Sequence, residues 1–473
     1  MLVSPYPYTT GVVEPLSGLM DPWGIDPNGR VCVPCSRCNQ YNRLGANFCS
    51  HCRSELHLPR KGWFQYGGES SGGFCLDVGY LNVGESPGKN WEISGDNQLL
   101  SRDLRLIQPI LVDDLIVMAQ AQSGTLIAAS QLSGKTIWRT SVYSPLQSYS
   151  QLAVLYPYLY FLMDDPEPKR LWYLARISIF DGEFELLLHF QAPPATGSTP
   201  LLVSLSDNRT LLISALTHSL LGVEISSDDQ EVPWKSYLLP CPELREPDYI
   251  TGLAAEGNRV FAVSRLGKVY GVDASRPLAG LALDGCKVYG VPPSDALCSR
   301  PCIVAGHVVF LECRKNEGLA LYARSMTLKG DFNEPVPLIL PGGDGEQAQN
   351  EEDAVLENGF VSDGTLPFIP SPHSPYFYLY RPMKNAIEPI SMNGRWPIAF
   401  IASTRDRQIA VVEEGEGRLL DGLTQGQDGG KPFQLSVLGN RYSPLFRPLF
   451  GLLGMVVVSK GRVFLFPYSP SGR

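Results

Sequence analysis

The sequence predicts an all-β protein, a β-propeller of seven to eight four-stranded blades behind a small N-terminal metal-binding ribbon. Three observations carry that expectation. Charged residues are only 18% of the 473, while 46 Gly, 39 Pro and 21 Tyr give the composition of short strands joined by turns. Strand–turn–strand units begin near Gln108, Gln151, Thr199, Tyr249 and Arg300, spaced 43 to 51 residues apart, with further starts near Leu366, Ile398 and Phe446. Four cysteines, Cys35, Cys38, Cys49 and Cys52, are spaced C-x2-C-x10-C-x2-C.

Residues 1–30 hold five prolines and four glycines with few charges and read as an extended arm. The opening Met1–Tyr8 has no positive region and no uninterrupted apolar run, so no export signal is expected. The apolar stretch Phe446 to Val458 is shorter than a spanning helix needs, and Arg447, Pro448 and two glycines interrupt it, so no membrane segment is expected. With no export signal, the 11 cysteines read as reduced thiols plus a metal site, in a cytoplasmic protein.

Residues 31–57 form the ribbon. Two C-x2-C knuckles can meet at one tetrahedral ion, and four thiolates select Zn²⁺. About twenty residues cannot bury enough apolar surface to fold alone, so metal binding supplies folding free energy. Four thiolates leave no open position, and the expectation is one structural zinc per chain. Cys32 makes an overlapping C-x2-C with Cys35, but only the 35/38 pair gives the ten-residue spacing. His51 and His57 read as surface histidines. "CSRCNQYNRLGANFCSHCRSEL" resembles the short zinc ribbons of many bacterial proteins. The resemblance implies Cys35, Cys38, Cys49 and Cys52 as ligands and Gly45, Ala46 and Phe48 as the supporting loop. Asn39 and Arg53 stand where that family usually has glycine in left-handed backbone.

Residues 58–90, with "YGGESSGGF", read as a glycine-rich linker, and residues 91–473 as the propeller. The clearest repeat runs from Gln108 to Val142. Its expected strands are Ile110–Val112, Leu115–Ala119, Thr125–Ala129 and Thr136–Val142, joined by turns at Asp113-Asp114, Gln122-Ser123-Gly124 and Ser133-Gly134. Four strands in 40 to 50 residues is the size of a propeller blade. Eight candidate starts favour eight blades, while the short interval from Leu366 to Ile398 fits seven.

This stretch also resembles the PQQ-like repeat propellers, whose blades end in A-x-D-x-x-T-G-x-x-x-W. Ala128, Ser130, Ser133, Gly134 and Trp138 occupy those positions. The resemblance implies that Trp138 docks between blades as a structural residue. A weaker copy spans Gly257 to Pro277 and keeps Gly267, Val269, Tyr270 and Asp273. The last unit, Phe446 to Tyr468, supplies three strands, so its outer strand is expected from Trp91–Ser94 or Leu104–Leu106.

Few residues suggest chemistry. The resembled fold includes quinone-dependent oxidoreductases, which imply an export signal, a calcium site and often adjacent cysteines; this chain has no adjacent cysteines. Cys298, Cys302 and Cys313 read as buried strand thiols and His307 as structural. The G-x-S-x-G matches at Ser70 and Ser86 fall in the glycine-rich segment, off any strand-to-helix elbow. The acidic segment Gly342 to Asn358 lacks the order of a calcium loop. A net charge of −9 disfavours a nucleic-acid surface, and the ribbon's Arg37, Arg43 and Arg53 are a small basic collar. The expectation is a non-enzymatic scaffold or adaptor whose loops bind protein partners, with no small-molecule substrate. The alternatives are a nucleic-acid-associated adaptor acting through the ribbon and, behind it, a quinone-dependent oxidoreductase.

Overall fold

The computed structural model describes residues 24–25, 31–35, 37–43, 46, 48–54, 56, 75–76, 82–83, 88–92, 108–120, 124–142, 151–164, 171–195, 199–205, 210–225, 235–274, 287–290, 296–314, 320–338, 359–362, 366–370, 376–391, 398–404, 407–412, 416–420, 431–438, 440–442, 446–459 and 462–469. Residues 1–23 and 26–30 of the expected arm 1–30, Gly45, His57, Ser70, Ser86, Leu104–Leu106 and the acidic segment 342–358 lie outside them, while Gly24–Ile25 of that arm is a strand.

The strands of blade 1 are Ile110–Val112, Leu115–Gln120, Thr125–Ser130 and Thr136–Ser141, paired antiparallel in that order. Seven more sheets follow, and the described residues form an eight-bladed β-propeller. Their inner strands begin at Ala153, Leu201, Ile250, Ala296, Val361, Ile398 and Leu449, within a few residues of every expected start. Blade 6 begins at Val361 rather than Leu366, which lengthens the interval that had fitted seven blades. In blade 5 the inner strand is broken into Ala296–Cys298 and Cys302–Val304. There the Ser299 hydroxyl accepts the Leu311 N–H at 2.9 Å, occupying the ladder position that the break leaves open.

Apolar layers lie between blades rather than within them. One buried cluster joins Ile110, Val117, Ala128 and Trp138 of blade 1 to Leu159, Phe161 and Ile177 of blade 2. Another joins Leu211 and Leu220 of blade 3 to Leu253 and Tyr270 of blade 4. A central strand such as Thr125–Ser130 is therefore buried at all six positions, because each face meets a neighbour. Continuous apolar runs follow from two-sided burial, as in any sheet covered on both faces.

The ring closes through the chain's N-terminal part. Blade 8 has Leu449–Phe450, Gly454–Ser459 and Arg462–Ser469, and its outer strand is Lys89–Glu92, with Trp91 opposite Val463. Arg462 holds this strand by donating to Asn90 at 2.7 Å and by pairing with Glu92. The first of the two expected closing strands is thus the one used, one residue pair earlier; Ile93 and Ser94 lie outside the described residues. Two further short strands come from the expected linker. Asn82–Val83 pairs with the end of Arg462–Ser469, and Cys75–Leu76 pairs parallel with Ser403 and Thr404 on the inner strand of blade 7. Unpaired strand edges attract chain, and here the preceding segment covers them.

Trp138 lies between blades 1 and 2. It is 6% exposed and donates its indole N–H to the Ile179 carbonyl of blade 2 at 2.8 Å. Gly182 of blade 2 (φ +76) lies against its ring, and a β-carbon there would come within 2.9 Å. Trp91 repeats the arrangement one blade earlier: its N–H donates to the Gln131 carbonyl at 3.1 Å, and its ring lies over Gly134 (φ +71), where a β-carbon would clash. Tyr289 of blade 4 packs the same way against Gly330 of blade 5. The weaker sequence copy, which keeps Asp273 but loses the motif's final Gly and Trp, sits in blade 4. Gly267 turns the second strand of blade 4 into the third, whereas Gly134 turns the third into the fourth. In blade 4 the strand end matching Ser130 is Asp273, and Tyr289 stands for the tryptophan after a longer connection.

Truncating a buried aromatic costs about 3–5 kcal/mol. Trp138→Ala should lower propeller stability by that order, read from denaturant unfolding, and parental stability would contradict the docking role. Trp91→Ala should raise amide exchange in Arg462–Ser469 above the exchange in blade 3, because it frees the closing strand.

Candidate metal centre

The ribbon sheet pairs Gly24–Ile25 with Val31–Pro34 and that strand with Tyr41–Arg43. Two turns project from it with one geometry. In the first, Cys35 N–H donates to the Gln40 carbonyl (2.9 Å) and Asn39 N–H to the Cys35 carbonyl (2.8 Å). In the second, Cys49 N–H donates to the Ser54 carbonyl (2.8 Å) and Arg53 N–H to the Cys49 carbonyl (3.0 Å). Asn39 and Arg53 both take left-handed backbone, φ +57 and +58. The turns demand that conformation even though neither residue is glycine, and arginine accepts it at a cost. Backbone N–H groups two residues on point at the first sulfur of each turn, Arg37 at Cys35 Sγ and His51 at Cys49 Sγ, each at 3.4 Å.

The four sulfurs of Cys35, Cys38, Cys49 and Cys52 lie within 4.8 Å of one another. Two pairs cross between turns, Cys35 to Cys52 at 3.7 Å and Cys38 to Cys49 at 3.5 Å. Sulfurs about 2.3 Å from a tetrahedral ion would be about 3.8 Å apart, so the cluster fits one metal ion without rearrangement. Cys32 lies on the strand Val31–Pro34 opposite Arg43 and is no member of the cluster.

Ionisation within the cluster is uneven. The Ser54 hydroxyl, 3.2 Å away, and then the Arg37 amide hold Cys35 down to about 6. The Cys52 and His51 amides hold Cys49 below the usual thiol value, against desolvation. The Gln40 amide favours the Cys38 thiolate, but desolvation and the other three sulfurs push that thiol up to about 12. Four adjacent thiolates repel one another, and a divalent cation at their centre removes that repulsion.

Asn42 is the residue that spacing alone did not reveal. It is 5% exposed, and its amide spans both turns. The carboxamide oxygen accepts the Ser50 N–H at 2.8 Å, and the nitrogen donates to the Gln40 carbonyl at 2.7 Å and faces Cys49 Sγ at 3.5 Å. A polar residue midway between the knuckles was the available signal. Phe48, implied to support the loop, is instead 58% exposed, and Tyr41 is 49% exposed.

Among the described residues no other group of three or more His, Cys, Asp or Glu is gathered for a metal. Cys298, Cys302 and Cys313 are buried strand thiols, and burial pushes Cys302 up to about 12. Glu312, opposite Cys298 in the ladder, is fully buried between Arg314 (2.5 Å) and Arg324 (2.9 Å). Those guanidiniums in turn stack on Tyr322 and Phe332, which makes the triad a packing element. His307 is buried, its Nδ1 3.0 Å from the Ala305 carbonyl. Ala128 is buried in its strand, and the Ser130 hydroxyl accepts the Leu132 and Ser133 N–H groups.

No protein-family model matches the chain, and no curated protein matches it in sequence. In fold it is similar to Sqt1 of Saccharomyces cerevisiae: TM-score 0.50, 8% identity, 82% of this chain and 100% of that one. The quinohemoprotein alcohol dehydrogenase of Comamonas testosteroni aligns at TM-score 0.47 and 10% identity over 87% of this chain and 81% of its own. BamB of Moraxella catarrhalis aligns at 0.40 and 12% over 63% and 80%. At such identities likeness speaks for the fold alone.

Removing a group that positions metal ligands typically costs 10- to 100-fold in affinity. Asn42→Ala should weaken cobalt(II) binding by about that factor, read from the thiolate-to-cobalt absorption in a competition titration. Unchanged affinity would make Asn42 a bystander.

Proposed function

We propose that the chain is a non-catalytic interaction scaffold, a zinc ribbon joined to a PQQ-like propeller whose loops receive protein partners. The observation that carries this reading is the closed four-thiolate cluster. With every position of the metal filled by Cys35, Cys38, Cys49 and Cys52, the ion staples the ribbon and has no place for substrate. The inner edge of blade 7 supports the same reading, because Cys75–Leu76 lies along it where a ligand of the ring centre would approach. Propellers without reactive groups bind through their loops, held by a rigid sheet framework. Reduced thiolates suit a reducing compartment, and the proposal includes the cytoplasm.

Zinc follows from soft thiolates in tetrahedral arrangement. Elemental analysis should return about one zinc per chain, lost in the double variant Cys49→Ser/Cys52→Ser. Chelation should unfold the ribbon and leave the propeller's thermal transition in place, since blades are held by their neighbours and not by metal. Loss of that transition would make the two a single folding unit. For the scaffold itself, the purified intact chain should hold a protein partner stoichiometrically at physiological salt. Quinone-dependent dye reduction by the chain would overturn the reading.

A second reading, a nucleic-acid-associated adaptor, draws on exposed Tyr41 and Phe48 beside exposed Arg37 and Arg53. Aromatic faces with basic neighbours stack on single strands. Mobility shifts with single-stranded and duplex probes at physiological salt separate the two, and retention would favour the second.

A further inference from the structure

The ribbon turns a polar side chain inward and aromatic ones outward. Asn42 faces the metal cluster, so Tyr41, its neighbour on the same strand, faces the other way. Tyr41 is 49% exposed and Phe48 58%, and Arg37 and Arg53 are exposed as well. Aromatics and arginines are the residues that most often anchor protein interfaces. Residues 30–61 hold six Lys or Arg against one acid, Glu55, in a chain of net charge −9. Four thiolates with one divalent ion lower that +5 to +3, so the loaded ribbon stays cationic.

The opposite charge lies elsewhere in the same chain. Residues 330–380 contain nine Asp or Glu and no Lys or Arg. Six of those acids fall between Gly342 and Asn358, outside the described residues, where the chain connects the outer strand of blade 5 to the inner strand of blade 6. The sequence there reads Glu351-Glu352-Asp353-Ala354-Val355-Leu356-Glu357, an apolar triplet between carboxylates. Carboxylates suit Arg37 and Arg53, and Val355 and Leu356 suit Tyr41 and Phe48. The fold also brings the two attachment points together. Cys75–Leu76 runs parallel to Ser403 and Thr404, so it enters from the Ile398 end of the inner strand of blade 7. The inner strand of blade 6 lies beside that strand and starts from the same face of the ring, because the blades repeat one strand order. Between Leu56 of the ribbon and Cys75 stand 18 residues, which reach roughly 60 Å when extended. Two sites tethered this way on one chain meet at a high effective concentration.

We propose that the exposed side chains Arg37, Tyr41, Phe48 and Arg53 of the ribbon dock on the chain's own acidic segment 342–358, an autoinhibitory contact. A protein partner of the ribbon must then present the same chemistry, apolar residues between carboxylates, and displace the segment. The inference goes beyond the scaffold reading, which stands on the closed metal cluster and not on this contact.

The photo-crosslinker p-benzoylphenylalanine at position 48 of the purified, zinc-loaded full chain tests it. Illumination should join it, within one chain, to the peptide 342–358, with a yield that falls about threefold between about 0.1 and 0.5 M salt as the charges are screened. The same analogue in place of Phe180, 49% exposed on blade 2, should not give that product. The triple variant Glu351→Lys/Glu352→Lys/Asp353→Lys should lose the crosslink while keeping the propeller's thermal transition. No crosslink to 342–358, or one formed only between two chains, would overturn the proposal. A second readout leaves the ribbon unaltered: in the triple variant, amide exchange in the strand Tyr41–Arg43 should be about threefold faster than in the parent. Equal exchange would also overturn it. A protein partner still captured after either failure would leave the scaffold reading standing and remove only this contact.

Discussion

The ring depends on one constraint, that a blade cannot bury either of its faces by itself. Phe161 and Ile177 of blade 2 are covered on one side by Trp138 and Leu126 of blade 1, while Tyr160 and Leu174 face Leu212 and Leu221 of blade 3. Every blade therefore needs two neighbours, and an open row would leave two apolar faces in water. Closure removes both, and it is done with a strand taken from far earlier in the chain. Glu92 and Arg462 meet across that join, as do Trp91 and Gly134. Residues 75–76, 82–83 and 88–92 are consequently part of the propeller although the glycine-rich stretch they come from reads as connection.

Much of this was legible in the sequence, and the reason is physical. Blade 1 announced itself because its turns use residues that suit them, Asp113 and Gly134 at positive φ, with strands rich in Ile, Leu, Val and Ala between them. Blade starts were readable because tight turns recur at a nearly fixed spacing. The docking motif was harder. Trp138 follows Gly134 at the motif's spacing, but Trp91 lies ahead of blade 1 in the chain and Tyr289 follows a long connection, so no local pattern links either to its role. Blade 2 shows the limit most plainly. Gly182 makes the same turn from Ser178 that Gly134 makes from Ser130, yet the fourth residue on is Leu186, which is exposed. The turn is conserved in geometry while its aromatic partner is absent, and sequence matching weights the two equally.

The ribbon met the same need for burial with a different resource. Its sheet is three short strands, and only Cys32, Cys35, Cys49 and Asn42 are buried among its described residues. An area so small supplies little hydrophobic free energy, so the order of the turns must come from hydrogen bonds and, in the proposed state, from the ion. The four cysteines were legible because metal geometry fixes their spacing. Asn42 was not, because its role depends on where the chain folds back, and the exposure of Phe48 was not, because an aromatic beside a cysteine reads equally well as core.

These two modules place their strain in opposite ways. In the ribbon, Arg53 accepts left-handed backbone because two turns of the same shape must bring four sulfurs together, so the cost is repaid within the module. At Leu438, in the turn between the strands Ser436–Val437 and Asn440–Arg441, the same backbone region is occupied by a fully exposed leucine, while Leu435 is buried and accepts the Tyr442 N–H at 2.9 Å. The docking glycines give the contrast. Gly134 and Gly182 take positive φ and leave the room that Trp91 and Trp138 fill, so backbone and packing agree there, and at Leu438 they do not.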